Sequence, residues 1–442
     1  MTDRNAFLRM HLKRIDGVGP GAGLPKHIKM TTSPFVFFRG SSQLFYADIQ
    51  AQIIDFPAVQ MPITTVMGDC HTSNFGFFTE EGSHGDEVIF AINDFDDACF
   101  GNPLWDLLRF CVSLRLCADH CQRLVKGEIF SDRLLSAEPA VSDGLSEQAI
   151  HAFFDGYMSV CQKGDEDNNH LDQVFNDFES PSALVKRFKK AKKRAAGSEH
   201  FLVKSSLAKA INIDNIPLMF RQLKDKFLPL AEEEFSQIKT AFAPYMNDSI
   251  LDIVARQGSG TGSVNMERFY FLVGPENLTN LVDLKLCHVV EVKQQREAAP
   301  LYYFPDIAVQ NKLNPAHLTA RCQRLMQRKP DILVDEAYWQ GQHWLIRSRH
   351  HAKVGIDPEH IGIGHINTHD GGFVQYARAC GVALALAHCR GDRRSLSFEH
   401  AMLVALPKVQ SQLQSSSKQY ASQVIADWQW LKHVERIPPS LS

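Results

Sequence analysis

Apolar positions change their spacing several times along the chain, and each change marks an element. Ile63–Met67 and Val88–Ile92 are short unbroken apolar runs bounded by turn residues, the pattern of buried strands. Asn102-Pro103 then offers a helix cap and a first-turn proline. Leu104, Leu107, Leu108, Cys111 and Val112 follow at i, i+3, i+4, i+7 and i+8, which predicts an amphipathic helix. Phe35–Ile53 has roughly helical spacing broken near Arg39-Gly40, and residues from about 145 to 250 read as mostly helical with a polar loop at Lys163–Asn169. Beyond Asp252 the pattern predicts strands at Phe269–Val273, Leu281–Leu286 and Trp344–Ile346, and helices at Ala316–Arg328, Val374–Arg390 and Phe398–Val434. Ahead of all these, Gly17, Gly19, Pro20, Gly21, Gly23 and Pro25 predict a loop-rich arm. The expected class is α+β.

Length and composition narrow the picture. At 442 residues the chain exceeds the usual single domain, and 44% apolar with 22% charged residues excludes disorder or a coiled-coil rod. With 47 basic against 50 acidic residues the net charge is −3, so nucleic acid is not expected as a partner. The longest mainly apolar run, Ala379–Cys389, is about half of what a bilayer requires, and no membrane partner is expected. Ten cysteines without a C-x-x-C pair suit reduced thiols and a cytoplasmic location. Lys186–Arg194 carries seven basic residues in nine, a solvated helix face or a docking surface for an acidic partner.

Two constellations follow strands directly. Gly68-Asp69-Cys70-His71-Thr72-Ser73-Asn74 and Asn93-Asp94-Phe95-Asp96 each deliver carboxylates from a strand end. Hard magnesium prefers oxygen ligands and keeps some waters, so Asn74, Asp94 and Asp96 are the candidate metal ligands. Asp69 is the candidate base for a substrate hydroxyl, the plan of kinase catalytic loops. His71 is a candidate acid, or a histidine that braces the loop. A third constellation, Gly258, Gly260, Gly262 and Ser263, could cradle phosphates through backbone N–H groups. Lys285, ending the apolar alternation Leu281–Leu284, needs an anion if it is buried in a strand.

Thr31–Gly40 (TTSPFVFFRG), Gly68–Gly76 (GDCHTSNFG) and Asn93–Asp96 (NDFD) together resemble the signatures of a bacterial family catalogued as domain of unknown function 2252. That family is similar in its motifs to aminoglycoside phosphotransferases and other protein-kinase-like enzymes. The resemblance continues through Asp252–Val264, Leu281–Lys285, Gln323–Gln327, Tyr376–His388 and Tyr420–Asp427. It implies a bilobal kinase-like fold and a magnesium- and ATP-dependent phosphotransferase acting on a small molecule. The chain departs from the family where Leu286-Cys287 follows the lysine, where Arg321 replaces a helix glutamate and where Asn265 replaces a third glycine. Glu291 or Glu297 is then the expected partner of Lys285. A nucleotide-binding regulator without catalysis and a carboxylate-based metal hydrolase are the alternatives.

The glycine loop follows the catalytic loop by almost two hundred residues, which implies a circular permutation. The expected units are 1–144 (catalytic and metal loops), 145–250 (helical insertion and substrate region), 251–350 (small nucleotide-binding lobe) and 351–442 (C-terminal helices of the large lobe). Asp69, Asn74, Asp94 and Lys285 should line one cleft roofed by Gly258–Gly262. Asp106 should brace the catalytic loop.

Overall fold

A computed structural model describes residues 3–436 except 132–134, 136, 165, 168, 179, 181, 214–216, 258–265, 279–280 and 394. Helix covers 51% and strand 15%, which makes the chain α+β. The N-terminal arm begins as a helix, α1 (Arg4–Asp16), and only Gly17 onward is turn. Arg4 fixes it by reaching both Asp48 and Asp427, at 2.5 Å each. Next come α2 (Pro25–Met30), α3 (Pro34–Gly40) and α4 (Ser42–Gln50), with the break at Arg39-Gly40 that the spacing predicts. Ser33 caps α3 by accepting from Val36 N at 3.2 Å.

Strand β1 (Thr64–Val66) pairs with β4 (Cys99–Gly101), and β2 (Phe75–Thr79) with β3 (Val88–Ile92). Helix α5 (Pro103–Val125) starts where the cap predicts, with Asn102 Oδ1 accepting from Leu104 N at 3.0 Å. It packs on α6 (Asp143–Lys163) and on a later helix, α15 (Ser397–Val434), and α6 in turn packs on α14 (Gly372–Arg390), to form the larger core.

Residues 145–250 are not a helical insertion throughout. Helix α6 belongs to the large core against α14. After it come the short helices α7 (Ala183–Lys192), α8 (Phe201–Lys204) and α9 (Ser206–Ala210), then strands β5 (Ile211–Asn212), β6 (Met219–Phe220) and β7 (Phe227–Pro229), then α10 (Glu232–Phe242). Pro217 and Pro229 bar a continuous helix here, and β7 instead pairs with the sheet edge.

The smaller lobe is an antiparallel sheet of β7, β8 (Ile250–Arg256), β9 (Arg268–Val273), β10 (His288–Gln294), β11 (Asp335–Trp339) and β12 (Gln342–Ser348). Its strand order is β11-β12-β10-β9-β8-β7, and α11 (Pro315–Met326) packs on β11 and β12. One face buries Phe269, Phe271, Val290, Val292, Trp344 and Ile346 against α10. Each such side chain contributes about 1.5–3 kcal/mol of apolar burial. The alternate positions turn Tyr270, Glu291, Lys293 and Arg347 to the other face, toward the larger lobe.

Leu281–Leu286 is a 3-10 segment, not a strand, and the strand is the next run, His288–Gln294. The β-branched Val289, Val290 and Val292 fit a pleated surface flanked on both sides, and β10 pairs with both β9 and β12. The chain returns to the larger lobe through β13 (Val354–Gly355) on β2, α12 (Pro358–Gly362) and α13 (His365–Thr368). All ten cysteines are free and buried. Among the described residues no helix is long and apolar enough to cross a membrane.

Candidate functional site

The loop after β1 is held from below. Asp106, completely buried on α5, accepts from Met67 N at 2.6 Å and Gly68 N at 3.2 Å, the bracing expected of it. His388 on α14 is 3.1 Å from the same carboxylate, and Tyr157 hydrogen-bonds the other imidazole nitrogen at 2.8 Å. Gly68 is required by conformation and by space. Its φ is +72°, and a Cβ there would stand 2.0 Å from the Asp97 carbonyl oxygen.

Asp69 therefore has a fixed backbone, and its side chain is fixed as well. Arg109, fully buried one turn after Asp106, donates to Asp69 Oδ1 from Nε at 2.9 Å and from Nη2 at 2.5 Å. Both donors land on Oδ1, so Oδ2 stays available, with His71 Nε2 3.6 Å away. Burial would raise this carboxyl, but Arg109 and His71 outweigh it and hold Asp69 well below the usual carboxylate range. His71 Nδ1 accepts from Ser73 N at 3.2 Å, which leaves the proton on Nε2. Burial lowers its pKa to about 4 against the pull of Asp69, so it is neutral at pH 7. Asn74 ends the 3-10 turn Thr72–Asn74 and donates from Nδ2 to the Asp69 carbonyl at 2.9 Å. No described residue donates to its Oδ1.

The second loop adjoins the first. Asn93 N donates to the Asn74 carbonyl at 3.0 Å, continuing the β2–β3 register Phe75↔Ile92. Asp94 Oδ1 accepts from Asp96 N at 3.2 Å. Burial, and then the charge of Asp96, push Asp94 above its ordinary value. Asp96 goes the other way: despite burial, Lys293 and Arg347 hold it well below the carboxylate range. Lys293 Nζ on β10 pairs directly with Asp96 Oδ2, and Arg347 on β12 lies 3.6 Å from Oδ1. This Oδ1 is buried without a hydrogen-bond partner.

Lys285 is not the lysine that faces the carboxylates. It lies exposed in the Leu281–Leu286 segment, and Lys293 from the following strand takes that place. A lysine buried in a strand needs an anion, and Lys293 finds one in Asp96, whereas Lys285 is neither on a strand nor buried. Glu291 also pairs elsewhere, with Arg347 at 2.9 Å and with Arg268 and Arg349 at 3.3 Å each. Burial opposes its charge, but the three arginines keep it well below the ordinary range. Gly258, Gly260, Gly262 and Ser263 lie outside the described residues, between β8 and β9 in sequence.

The resulting cleft, about 150 Å³, is lined by Asp94, Asp96, Glu291, Gln323, Arg347 and Lys353 among others; Asp69, Asn74 and Lys285, expected to share it with Asp94, are not among its lining residues. It is smaller and more charged than an ordinary small-molecule pocket of roughly 300–1,000 Å³. A larger cavity of about 710 Å³ lies beside β7 and β8, but its one carboxylate, Asp252, already serves Phe220 N and Ile253 N.

Among the described residues no group of three or more His, Cys, Asp or Glu side chains is arranged to hold a metal ion. Magnesium needs fewer, since it keeps several waters. Asp96 Oδ1, buried without a hydrogen-bond partner, is the carboxylate oxygen of these loops that a cation would satisfy.

Besides Lys293, three site residues are not among the sequence candidates. Arg109 had a signal: it is the one charged residue after Asp106 in an otherwise apolar stretch of α5. Arg347 had only its place in an apolar strand. Arg39 lay in a quoted motif, and its Nε is buried without a hydrogen-bond partner. Its guanidinium stands over Phe35, which also meets the His71 ring edge-on. Burial lowers its pKa, while Asp69 and Asp94 both pull it up, so one cation lies within reach of both loops.

These loops and the sheet fall within one family match. The bacterial family described as "Uncharacterized protein conserved in bacteria (DUF2252)" matches residues 22–434. The chain belongs to this family. No curated protein and no solved structure matches it. Membership therefore covers the Thr31–Gly40 motif, both carboxylate loops and the lysine strand in one unit.

Proposed function

We infer that the chain is a metal-dependent phosphotransferase of kinase-like, circularly permuted design. The observation that carries this reading is the Lys293–Asp96 pair, which joins β10, the strand after the two that flank the glycine-rich stretch, to the loop after β3. Strand order supports it. A glycine-rich stretch between two strands, a lysine on the third, then a helix and two more strands is the small-lobe plan of protein kinases. Here that lobe follows the catalytic segment in sequence, and β13, α14 and α15 lead back to it.

In this reading the acceptor's hydroxyl oxygen forms a bond to the transferred phosphorus while the donor's bridging P–O bond breaks. The hydroxyl proton passes to Asp69 Oδ2, the oxygen that Arg109 leaves available. Lys293 and Arg347 meet the charge on the donor's phosphates. Asn74, Asp94 and Asp96 would hold magnesium, which supplies charge neutralisation when bound. ATP is the donor proposed, and the acceptor is a small molecule.

A metal-dependent hydrolase or a non-catalytic phosphate binder is the second reading. The observation favouring it is Glu291 with its three arginines, which fill the sheet face with charge where a base would need an apolar slot. The test is ATP turnover with magnesium and a pooled metabolite extract. Acceptor-dependent ADP release that disappears in Asp69→Ala supports the transferase; phosphate release from ATP or generic esters without any acceptor supports the hydrolase.

A further inference from the structure

A second cavity, about 190 Å³, opens beside the carboxylate cleft and shares Arg349 as a wall. Its lining includes Lys209 of α9, Lys226 before β7, Arg256 at the end of β8, and Arg349, with no carboxylate among the lining residues. Arg349 is partly neutralised by Glu291 at 3.3 Å. Among the described residues, Lys209, Lys226 and Arg256 have no carboxylate partner within ion-pair distance. Like charges gathered round one cavity raise its free energy unless something holds them or something answers them.

Tyr270 does the holding. The Arg349 guanidinium stands 4.8 Å and the Arg256 guanidinium 6.0 Å from its ring centroid, and its hydroxyl bonds Arg349. Two planar forks are thus preset on one buried aromatic ring, the geometry suited to oxyanions. Lys226 also accepts, through its carbonyl, from Gln257 N at 3.0 Å, where the chain enters the glycine-rich stretch. Burial, Arg194 and Lys204 together lower Lys209, as expected of a cation with no anion beside it.

We propose that this cavity is a phosphate-binding site, so that the substrate system of this protein carries phosphate beyond the group transferred at Asp94 and Asp96. The site does not depend on turnover; only the assignment of its phosphate to donor or acceptor rests on the phosphotransferase reading. An aromatic base is the competing occupant, since Phe227 and Tyr270 also line the space.

The probe is inorganic tripolyphosphate, titrated calorimetrically into the full chain in magnesium-free buffer, with adenosine as the uncharged comparison. Tripolyphosphate should bind and adenosine should not. Arg256→Ala and the exposed double variant Lys209→Ala/Lys226→Ala should each weaken tripolyphosphate at least tenfold, while Lys226→Arg should keep wild-type affinity. Asp69→Ala should leave it within twofold, which separates this proposal from the fate of the catalytic reading. Competition by ATP would assign the phosphate to the donor, and simultaneous binding would assign it to the acceptor; both uphold the site. Absence of tripolyphosphate binding, affinity unchanged in the cavity variants, or adenosine binding that Arg256→Ala abolishes would overturn it.

Discussion

Replacing Asp106 by alanine should destabilise the larger lobe and disable the site together. The carboxylate is fully buried and receives Met67 N, Gly68 N and the His388 imidazole. Each buried donor left without a partner costs about 1–3 kcal/mol, a ceiling of roughly 9 for three. Water entering the small polar hole recovers part of this, so breaking one side of a buried pair sets the expectation at about 3–5 kcal/mol. The assay is urea unfolding followed by tryptophan fluorescence, read as a shift in midpoint at constant slope. His388→Leu alone should cost about 1–3 kcal/mol, because it orphans one acceptor and the Tyr157 hydroxyl. In a double-mutant cycle the two changes should couple by about 0.5–3 kcal/mol. Loss of the brace should also lower turnover by about a hundredfold, the usual result of misplacing a reacting group by an ångström. An Asp106→Ala variant within 1 kcal/mol of wild type, or strict additivity with His388→Leu, would refute the reasoning.

Other perturbations separate the pieces. Lys293→Met should abolish turnover, whereas Lys285→Ala should leave it unchanged; equal effects in a steady-state assay would contradict the placement of the two lysines. Gly68→Ala should cost at least about 1–3 kcal/mol, since it puts a side chain at positive φ against the Asp97 carbonyl, and a wild-type melt would show that the loop can move. Stability should fall on acidification in two stages. Burial holds His11, His71 and His288 near a pKa of about 4 and His351 near about 3, so the unfolded chain binds more protons between about pH 6.5 and 4. In that window stability drops as pH falls, by up to about 1.4 kcal/mol per unit for each histidine. Asp69, Asp96 and Glu291 are held low, so their contribution is intact above about pH 4–5 and is lost below it. Urea midpoints identical at pH 7 and pH 5 would count against the first stage.

What the sequence made legible was local. The Asn102-Pro103 cap, the α5 stripe, strand Val88–Ile92 and the break at Arg39-Gly40 are all decided by residues within a turn or two of each other. Both carboxylate loops could be found because each follows a strand in a compact motif, and Asp106 because it lies one helix start away. The cations could not be found this way. Arg109, Arg347 and Lys293 reach Asp69 and Asp96 from 40 to 251 residues away, and although Arg109 stands out as the one charge in an apolar helix stretch, nothing local names the carboxylate that each of them meets. Lys285 was misplaced because Leu281–Leu284 alternates like a strand, while the better β-forming run begins only at His288. Helix α1 was overlooked because the glycines after it dominated the reading of the arm.

The central claim, that Asp69, Asn74, Asp94, Asp96 and Lys293 form one phosphoryl-transfer site, is tested most directly by a crystal structure of the full chain with magnesium and a non-hydrolysable ATP analogue. The account predicts a metal on Asp94 and Asn74 with Asp96 beside it, the terminal phosphates against Lys293 and Arg347, and the γ-phosphorus facing Asp69 Oδ2. A nucleotide bound on another face, or a metal held away from Asp94 while Lys293 keeps its pair with Asp96, would contradict it.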